Sequence, residues 1–370
     1  MKNNLTAREA ISIICIISLC QLILNTPKTI INSCGSGSII NILYISLIGL
    51  ITCIIFSKII KNFPSDDIID ISEKLGGNIL KFIVSIIFIA FFIILILVAI
   101  SDFSYLLKCI YFQDSPLTFI LIFFIIGALF ANLSGFNSIK KVCTMIIPIL
   151  IYTFLIIFLK STTSIKLDDF TPILGYSYKS TFQNGLSNLF FFNFIVLYLF
   201  IMPLLKKKND INKIIFTSFS INIAILILTI LSLIGVFTAH INSSNINSLY
   251  FLTRSIKISN FFEQVEAIYI FIWILSLLAY ISILLFFITH ILNKLFHFKD
   301  HKQLSYPILS IIIGLSLIFV NLSQINFLEE TIFKYSSIII TFGISFIILL
   351  LGNIKEKHKR KSKTSKNQKI

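Results

Sequence analysis

The sequence predicts an all-α integral membrane protein of ten transmembrane helices with both termini in the cytoplasm. Three observations carry that prediction: the composition, the spacing of the apolar runs, and the distribution of basic charge. Of the 370 residues, 56% are hydrophobic and 13% are charged, and the mean hydropathy is +0.95. Soluble domains run at roughly 45–50% apolar and about 25% charged. A soluble enzyme is therefore excluded, and little chain remains for a separate soluble domain.

A crossing helix needs about 20 apolar residues, and successive runs meet that need. The first, Ile11–Ile31, carries Gln21 near its centre and then Asn25-Thr26-Pro27-Lys28. Proline removes a backbone donor and clashes with the preceding turn, so this helix is expected to break around Leu22–Thr26. A Gly35-Ser36-Gly37 turn leads to the second run, Ile39–Ser57; with no lysine and no strand before it, that turn is no phosphate loop. The third run, Ile79–Ser101, follows a loop punctuated by Pro64 and Gly76-Gly77 and ends at Asp102. Pro116–Leu133 and Val142–Leu159 are the fourth and fifth. The sixth, Leu186–Leu205, repeats the character of the first, with Asn188, a central Asn193, and Pro203 near its end. Ile214–Thr238 is the seventh. Ile246–Ile258 then reads as a short helix lying on the outer surface. Ala267–Thr289, Tyr306–Leu322 and Thr331–Leu351 complete the set.

Charge fixes the orientation. With a cytoplasmic N-terminus, the inner segments hold 23 Lys and Arg and the outer loops 7, the bias that sets topology in multi-pass proteins. The net charge of +15 on a soluble chain would point to nucleic acid, but position decides otherwise. The tail 353–370 holds eight basic residues against Glu356, and a basic cluster directly after a span reads as an anchor on anionic lipid. The organisation is thus a membrane domain over 1–352, with halves at about 11–159 and 186–351, and a basic cytoplasmic tail over 353–370.

No chemistry of bond cleavage is encoded. The six cysteines are dispersed without a CxxC pair, and His297 and His301 stand in a basic loop without neighbouring ligands, so neither a metal nor another cofactor is expected. No Ser/His/Asp set and no paired carboxylates with a second catalytic group appear.

Polar groups inside apolar runs are costly and face cavities or partner helices. Helices one and six are equivalent members of a five-plus-five inverted repeat, in which discontinuous helices bind substrate near the midplane, and each has a central amide here. Interhelical amide hydrogen bonds are equally a structural device, so either residue alone supports both readings. Acids gather at the predicted outer face: Asp102 ends span three, and Glu263 and Glu266 open span eight on one helix side. With Lys28 at the same level, these read either as a charge network around an outer vestibule, Lys28 pairing with Glu266 or Asp102, or as solvated charges at helix ends.

The stretch FFEQVEAIYIFIWILSLLAYISI, Phe261–Ile283, resembles the eighth helix of the spore germination permeases, the B subunits of germinant receptors (GerAB family). There a Glu-x-x-Glu-Ala/Ser run precedes an apolar stretch and a Trp, matched here by Glu263, Glu266, Ala267 and Trp273. LTAREAISII, SPLTFILIF, ANLSGFNSIKKVCTMIIPIL, DDFTPIL and IMPLLKKK are similar to that family in the same order. The resemblance implies the ten-helix inverted-repeat fold of the amino acid–polyamine–organocation transporters (LeuT-like). It also implies a germinant-sensing subunit in the spore inner membrane, assembled with receptor A and C subunits. Two departures stand out: Cys20-Gln21-Leu22 replaces a frequent Gly-x-Gly in helix one, and Asn193-Phe194 stands near a frequent Gly-Glu pair in helix six. The expected ligand is a small nutrient, an amino acid by preference, held between helices one, three, six and eight. Gln21, Asn25, Asn188, Asn193, Ser276 and Tyr280 are the expected contacts, with Asp102 lining the outer mouth and Trp273 packing. The alternative is an ion-coupled amino acid transporter on the same scaffold.

Overall fold

A computed structural model describes residues 5–165, 167–237, 247–255, 265–298 and 301–367. Among them the chain is helical apart from its connections, and its one extended pairing is a bridge between Leu5 and Leu205. The helices are α1 (Ala7–Ile23), α2 (Thr26–Cys34), α3 (Ser38–Ile60), α4 (Ile68–Ile110), α5 (Leu117–Ser134) and α6 (Phe136–Ser161). They continue as α7 (Lys179–Leu204), α8 (Ile211–Phe237), α9 (Ser248–Ser255), α10 (Val265–Phe296), α11 (Ser305–Ser316) and α12 (Leu322–Lys357). The helical backbone of α12 runs on to Asn367.

Eight helical stretches among the described residues are long and apolar enough to cross a membrane, counting α2 with α3 as one. The protein is therefore a multi-pass membrane protein. α1, with 17 residues, is at the short end of what crosses a bilayer, and α11, with 12, is shorter still. The ninth run was expected to reach Leu322, but α11 stops at Ser316. The reason is local: Asn321 and Gln324 form a reciprocal capping box that starts α12 at Leu322. The start of the fifth run also differs. α6 begins at Phe136, directly after Gly135 (φ 91°), so Lys140 is helical and buried, paired with Glu9 of α1 at 3.2 Å.

Two segments are enclosed on every side. Every residue of α1 from Ser12 to Ile23 is buried, and so is the α7 run from Phe190 to Met202. A helix apolar all round belongs in a core, and α3, α4, α6, α8 and α10 pack about these two. Phe88 and Phe92 of α4, Phe200 of α7 and Phe287 of α10 interlock there, with ring centroids 5.3 to 6.0 Å apart. Gly175, in the segment between α6 and α7, has φ 63° and would place a Cβ 1.8 Å from the Cys34 carbonyl, so only glycine lets that segment dock on the end of α2.

A polar clasp closes one end of the bundle. Asp67 caps α4, accepting from the Ile69 and Asp70 amides at 3.1 and 3.0 Å. α10 extends past its apolar run to bring Lys294 within 2.6 Å of Asp67 and 2.5 Å of Asp70, with His290 Nε2 at 3.4 Å from Asp67. Burial works to raise the Asp67 carboxyl, but the His290 hydrogen bond and the Lys294 charge outweigh it and hold the group well below the usual carboxylate range. Asp67→Ala should therefore cost about 3 kcal/mol, through the lost cap and the broken buried pair. A depressed carboxylate contributes its stability above its unfolded value of about pH 4 and loses it only as pH falls through the folded value. Thermal melts of the detergent-solubilised protein should thus give one and the same wild-type-to-variant gap at neutral pH and at about pH 5.

Candidate functional site in the broken helices

The expected break in the first run lies between α1 and α2. Leu24 is extended (φ −76°, ψ −157°) and Asn25 follows at φ −83°, ψ 2°, with Pro27 in the first turn of α2, where its missing amide has no cost. Breaking the helix frees the Ile23 carbonyl, which accepts from the Asn247 side chain ahead of α9. Asn247 in turn accepts from the amides of Leu249 and Tyr250, so one residue mends α1 and caps α9. α7 is irregular at the matching place: Asn184–Val196 winds as a 3₁₀ helix, and Phe192 departs from helical angles (φ −81°, ψ 15°) beside Asn193. A run that long is uncommon for this winding and marks a stretch under constraint.

The two irregular segments meet through their amides. Gln21 Nε2 donates to Asn193 Oδ1 at 2.7 Å, and both side chains are buried. Tyr280 of α10 lies beside the Gln21 side chain and donates its hydroxyl to the Leu95 carbonyl at 3.4 Å. One turn further along the first helix, Asn25 Nδ2 donates to Asp102 Oδ1 at 2.5 Å and to Glu329 Oε2 at 3.3 Å. The Lys28 charge acts on both carboxylates. Four helices, α1, α4, α7 and α10, thus contribute to one polar seam, and α12 adds Glu329.

Other expected contacts lie elsewhere. Asn188 points to α2 and α3, donating to Ser33 Oγ at 2.9 Å and Asn41 Oδ1 at 2.8 Å. Asn41 passes its own amide hydrogen to the Thr181 carbonyl at 2.8 Å, so these residues staple α3 to α7. Ser276 is buried and its hydroxyl turns back to the Ile272 carbonyl of its own helix at 2.8 Å. Trp273 is fully buried. Glu266 lines a cavity of about 380 Å³ with Tyr111, Gln113, Tyr250 and Arg254. Glu263 lies outside the described residues.

Residue patterns had not pointed to Glu329, Asn41 or Asn247. Glu329 was findable: it opens the acidic pair Glu329-Glu330 just before the tenth apolar run. Asn41 sits near the start of an apolar run, where a polar residue passes for a helix end. Asn247 lies in a polar connection and gives no sequence signal of its partner.

A family model described as "Spore germination protein" matches residues 4–328. The chain belongs to the spore germination protein family. The match takes in the whole first helix pair, α4, α7 and α10, and ends one residue before Glu329. This family member is similar to Spore germination protein YndE of Bacillus subtilis (strain 168), with 24% identity over 357 residues covering 94% of this chain and 96% of that protein. It is also similar to Spore germination protein KB of the same organism, with 20% identity over 334 residues covering 89% of this chain and 87% of the other.

The Gln21–Asn193 bond can be weighed by a double-mutant cycle. Gln21→Leu or Asn193→Leu alone strands a buried amide and should lower stability by about 1–3 kcal/mol. The double substitution removes both partners and should cost no more than either single one, a coupling read from detergent melting curves of the four proteins.

Proposed function

We propose that this chain is the membrane subunit of a nutrient germinant receptor, which binds a small germinant, an amino acid by preference, and so triggers spore germination. The observation that carries the reading is the meeting of two irregular helices through buried amides, Gln21 with Asn193, in a member of the spore germination protein family. Amides positioned where helices lose regularity present donors and acceptors together, as the carboxylate and ammonium of an amino acid require. Gln21, Asn193, Tyr280 and Asn25 are the proposed contacts, with Asp102 at the outer side. Asn188, whose hydrogen bond to Asn41 ties α7 to α3, and Ser276, whose hydroxyl bonds back within its own helix, support the pocket walls.

The proposal includes ten crossings in two inverted halves, both termini in the cytoplasm, and residence in the spore inner membrane beside receptor A and C subunits. The asymmetry of 23 inner against 7 outer basic residues supports the orientation. A ligand transmits a signal only if it binds one conformation better than the other, and a broken helix held by a few polar contacts has little to oppose such a change.

Spores lacking the gene and complemented with Gln21→Leu or Asn193→Leu test this reading. Nutrient response to amino acids should be lost or shifted to higher concentration while the protein still accumulates. An unchanged dose response in both variants overturns the site. Uptake of labelled amino acid by proteoliposomes carrying this chain alone, with no germination defect in the deletion strain, would instead establish a transporter.

A further inference from the structure

The starts of α1, α6 and α8 meet at one end of the bundle. Lys140 of α6 pairs with Glu9 of α1 at 3.2 Å. The bridge between Leu5 and Leu205, with the Lys206 amide donating to the Leu5 carbonyl at 2.9 Å, ties the chain ahead of α1 to the chain ahead of α8. This is the end that the basic loops predict to be cytoplasmic. Between the three helices lies a cavity of about 290 Å³ whose walls include Arg8 and Ile11 of α1, Ile147, Pro148 and Ile151 of α6, and Lys213 of α8.

Its two cations have no acid to neutralise them. Arg8 and Lys213 are exposed, and neither makes an ion pair among the described residues. The neighbouring Glu9 is already engaged, accepting from the amide and hydroxyl of Thr6 and pairing with Lys140. Lys206 and Lys207, both exposed, add positive charge beside the same chain end, and Asp210, three residues before Lys213, makes no ion pair with it. The rest of the cavity is of opposite character. α6 is unbroken from Phe136 to Ser161, so Pro148 and Ile151 stand about 12 and 16 Å along it from Lys140. Met145, Ile149 and Tyr152 on this stretch are exposed, which turns that flank of α6 toward hydrocarbon. The hydroxyls of Ser12 and Thr144 bond back within their own helices, to the Arg8 carbonyl at 3.0 Å and the Lys140 carbonyl at 2.8 Å, and so do not make the cleft polar.

We propose that this cleft seats an anionic phospholipid, its phosphate held between Arg8 and Lys213 and one acyl chain lying along Ile11, Ile147, Pro148 and Ile151. A soluble phosphate would meet the two cations but leave the apolar wall uncovered. A lipid without net charge would cover the wall but leave the cations uncompensated. An anionic lipid does both, and the Arg8 guanidinium can grip its phosphate through two parallel hydrogen bonds. The inference needs only that the chain crosses a membrane, and it stands or falls apart from the germinant reading. Its consequence is positional: α1 runs directly into the break at Leu24, so a lipid bridging α1, α6 and α8 fixes the near end of a helix whose far end is interrupted.

The test uses the full chain in detergent, followed by native mass spectrometry and melting curves. It is titrated with phosphatidylglycerol, with phosphatidylcholine of identical acyl chains, and separately with glycerol 3-phosphate. Wild type should retain phosphatidylglycerol about ten-fold more tightly than phosphatidylcholine. Arg8→Gln and Lys213→Gln should each weaken phosphatidylglycerol about five-fold, the equivalent of roughly 1 kcal/mol per basic residue, and leave phosphatidylcholine unchanged. Both variants alter exposed residues and should melt as wild type does without lipid, while added phosphatidylglycerol should raise the melting temperature of wild type more than theirs. Ile151→Trp, which keeps both cations and fills the cleft, should also lose phosphatidylglycerol, whereas Lys58→Gln, at an exposed lysine that does not line the cavity, should bind as wild type. Equal affinity for the two lipids, or retention unchanged in both glutamine variants at the cleft, overturns the site. An equal loss in Lys58→Gln also overturns it, since general surface charge would then account for the binding. Displacement of phosphatidylglycerol by an equal concentration of glycerol 3-phosphate overturns the lipid as occupant, and unchanged retention in Ile151→Trp overturns the seating of its chain.

Discussion

A helix broken within a membrane releases backbone groups that hydrocarbon cannot satisfy, and much of this structure answers that constraint at Leu24 and Asn25. The freed Ile23 carbonyl takes its hydrogen bond from Asn247, a residue more than two hundred positions away in sequence. The position of α9 follows, because Asn247 is also its cap. The burial of α1 on every side follows as well: a short helix interrupted at one end gains its stability from packing rather than from its own length. α7 has the same problem at Phe192 and reaches the same solution, enclosure by α1, α2, α3 and α12 with the one central amide turned toward Gln21.

Much of this was legible in the residues, for reasons that can be named. The break was readable because Asn25-Thr26-Pro27 combines a capping residue with a proline, a local signal that needs no tertiary information. Central amides in two apolar runs were readable because such residues are rare in hydrocarbon. Their pairing was less so. Asn188 and Asn193 look alike in sequence, yet five residues of 3₁₀ winding turn them to different neighbours, Asn188 to Asn41 and Asn193 to Gln21. Winding cannot be inferred from composition, since α and 3₁₀ segments draw on the same apolar residues. The early end of α11 was hidden likewise: Leu317 to Leu322 continues an apolar pattern, and only the reciprocal Asn321–Gln324 cap stops it.

The charges divide by what holds them. At the clasp between α4 and α10, Asp67 and Asp70 face Lys294 and His290, and hydrogen bonds from backbone and side chains surround the buried Asp67. That arrangement is closed: its partners are in the protein, and its role is to fix two helix ends together. At the seam, Asp102 keeps one oxygen without a partner among the described residues. A buried pair that is fully bonded contributes to one arrangement of helices, whereas a partly bonded one leaves the arrangement responsive to whatever completes it.

Sequence alone grouped Lys28, Asp102, Glu263 and Glu266 as one outer ring. In the structure Asp102 and Glu266 occupy different surroundings, Asp102 against Asn25 and Glu329, and Glu266 beside Tyr250 and Arg254 in a cavity of about 380 Å³. Helical spacing explains why they were grouped: each sits at the end of an apolar run, and depth in the membrane is all that run boundaries report. Direction around the helix axis is what separates them, and a helix apolar on all sides carries no record of it. The amides in α1 and α7 are neutral, so the seam's acids come from α4 and α12, the two helices whose carboxyl groups accept from Asn25 at the break.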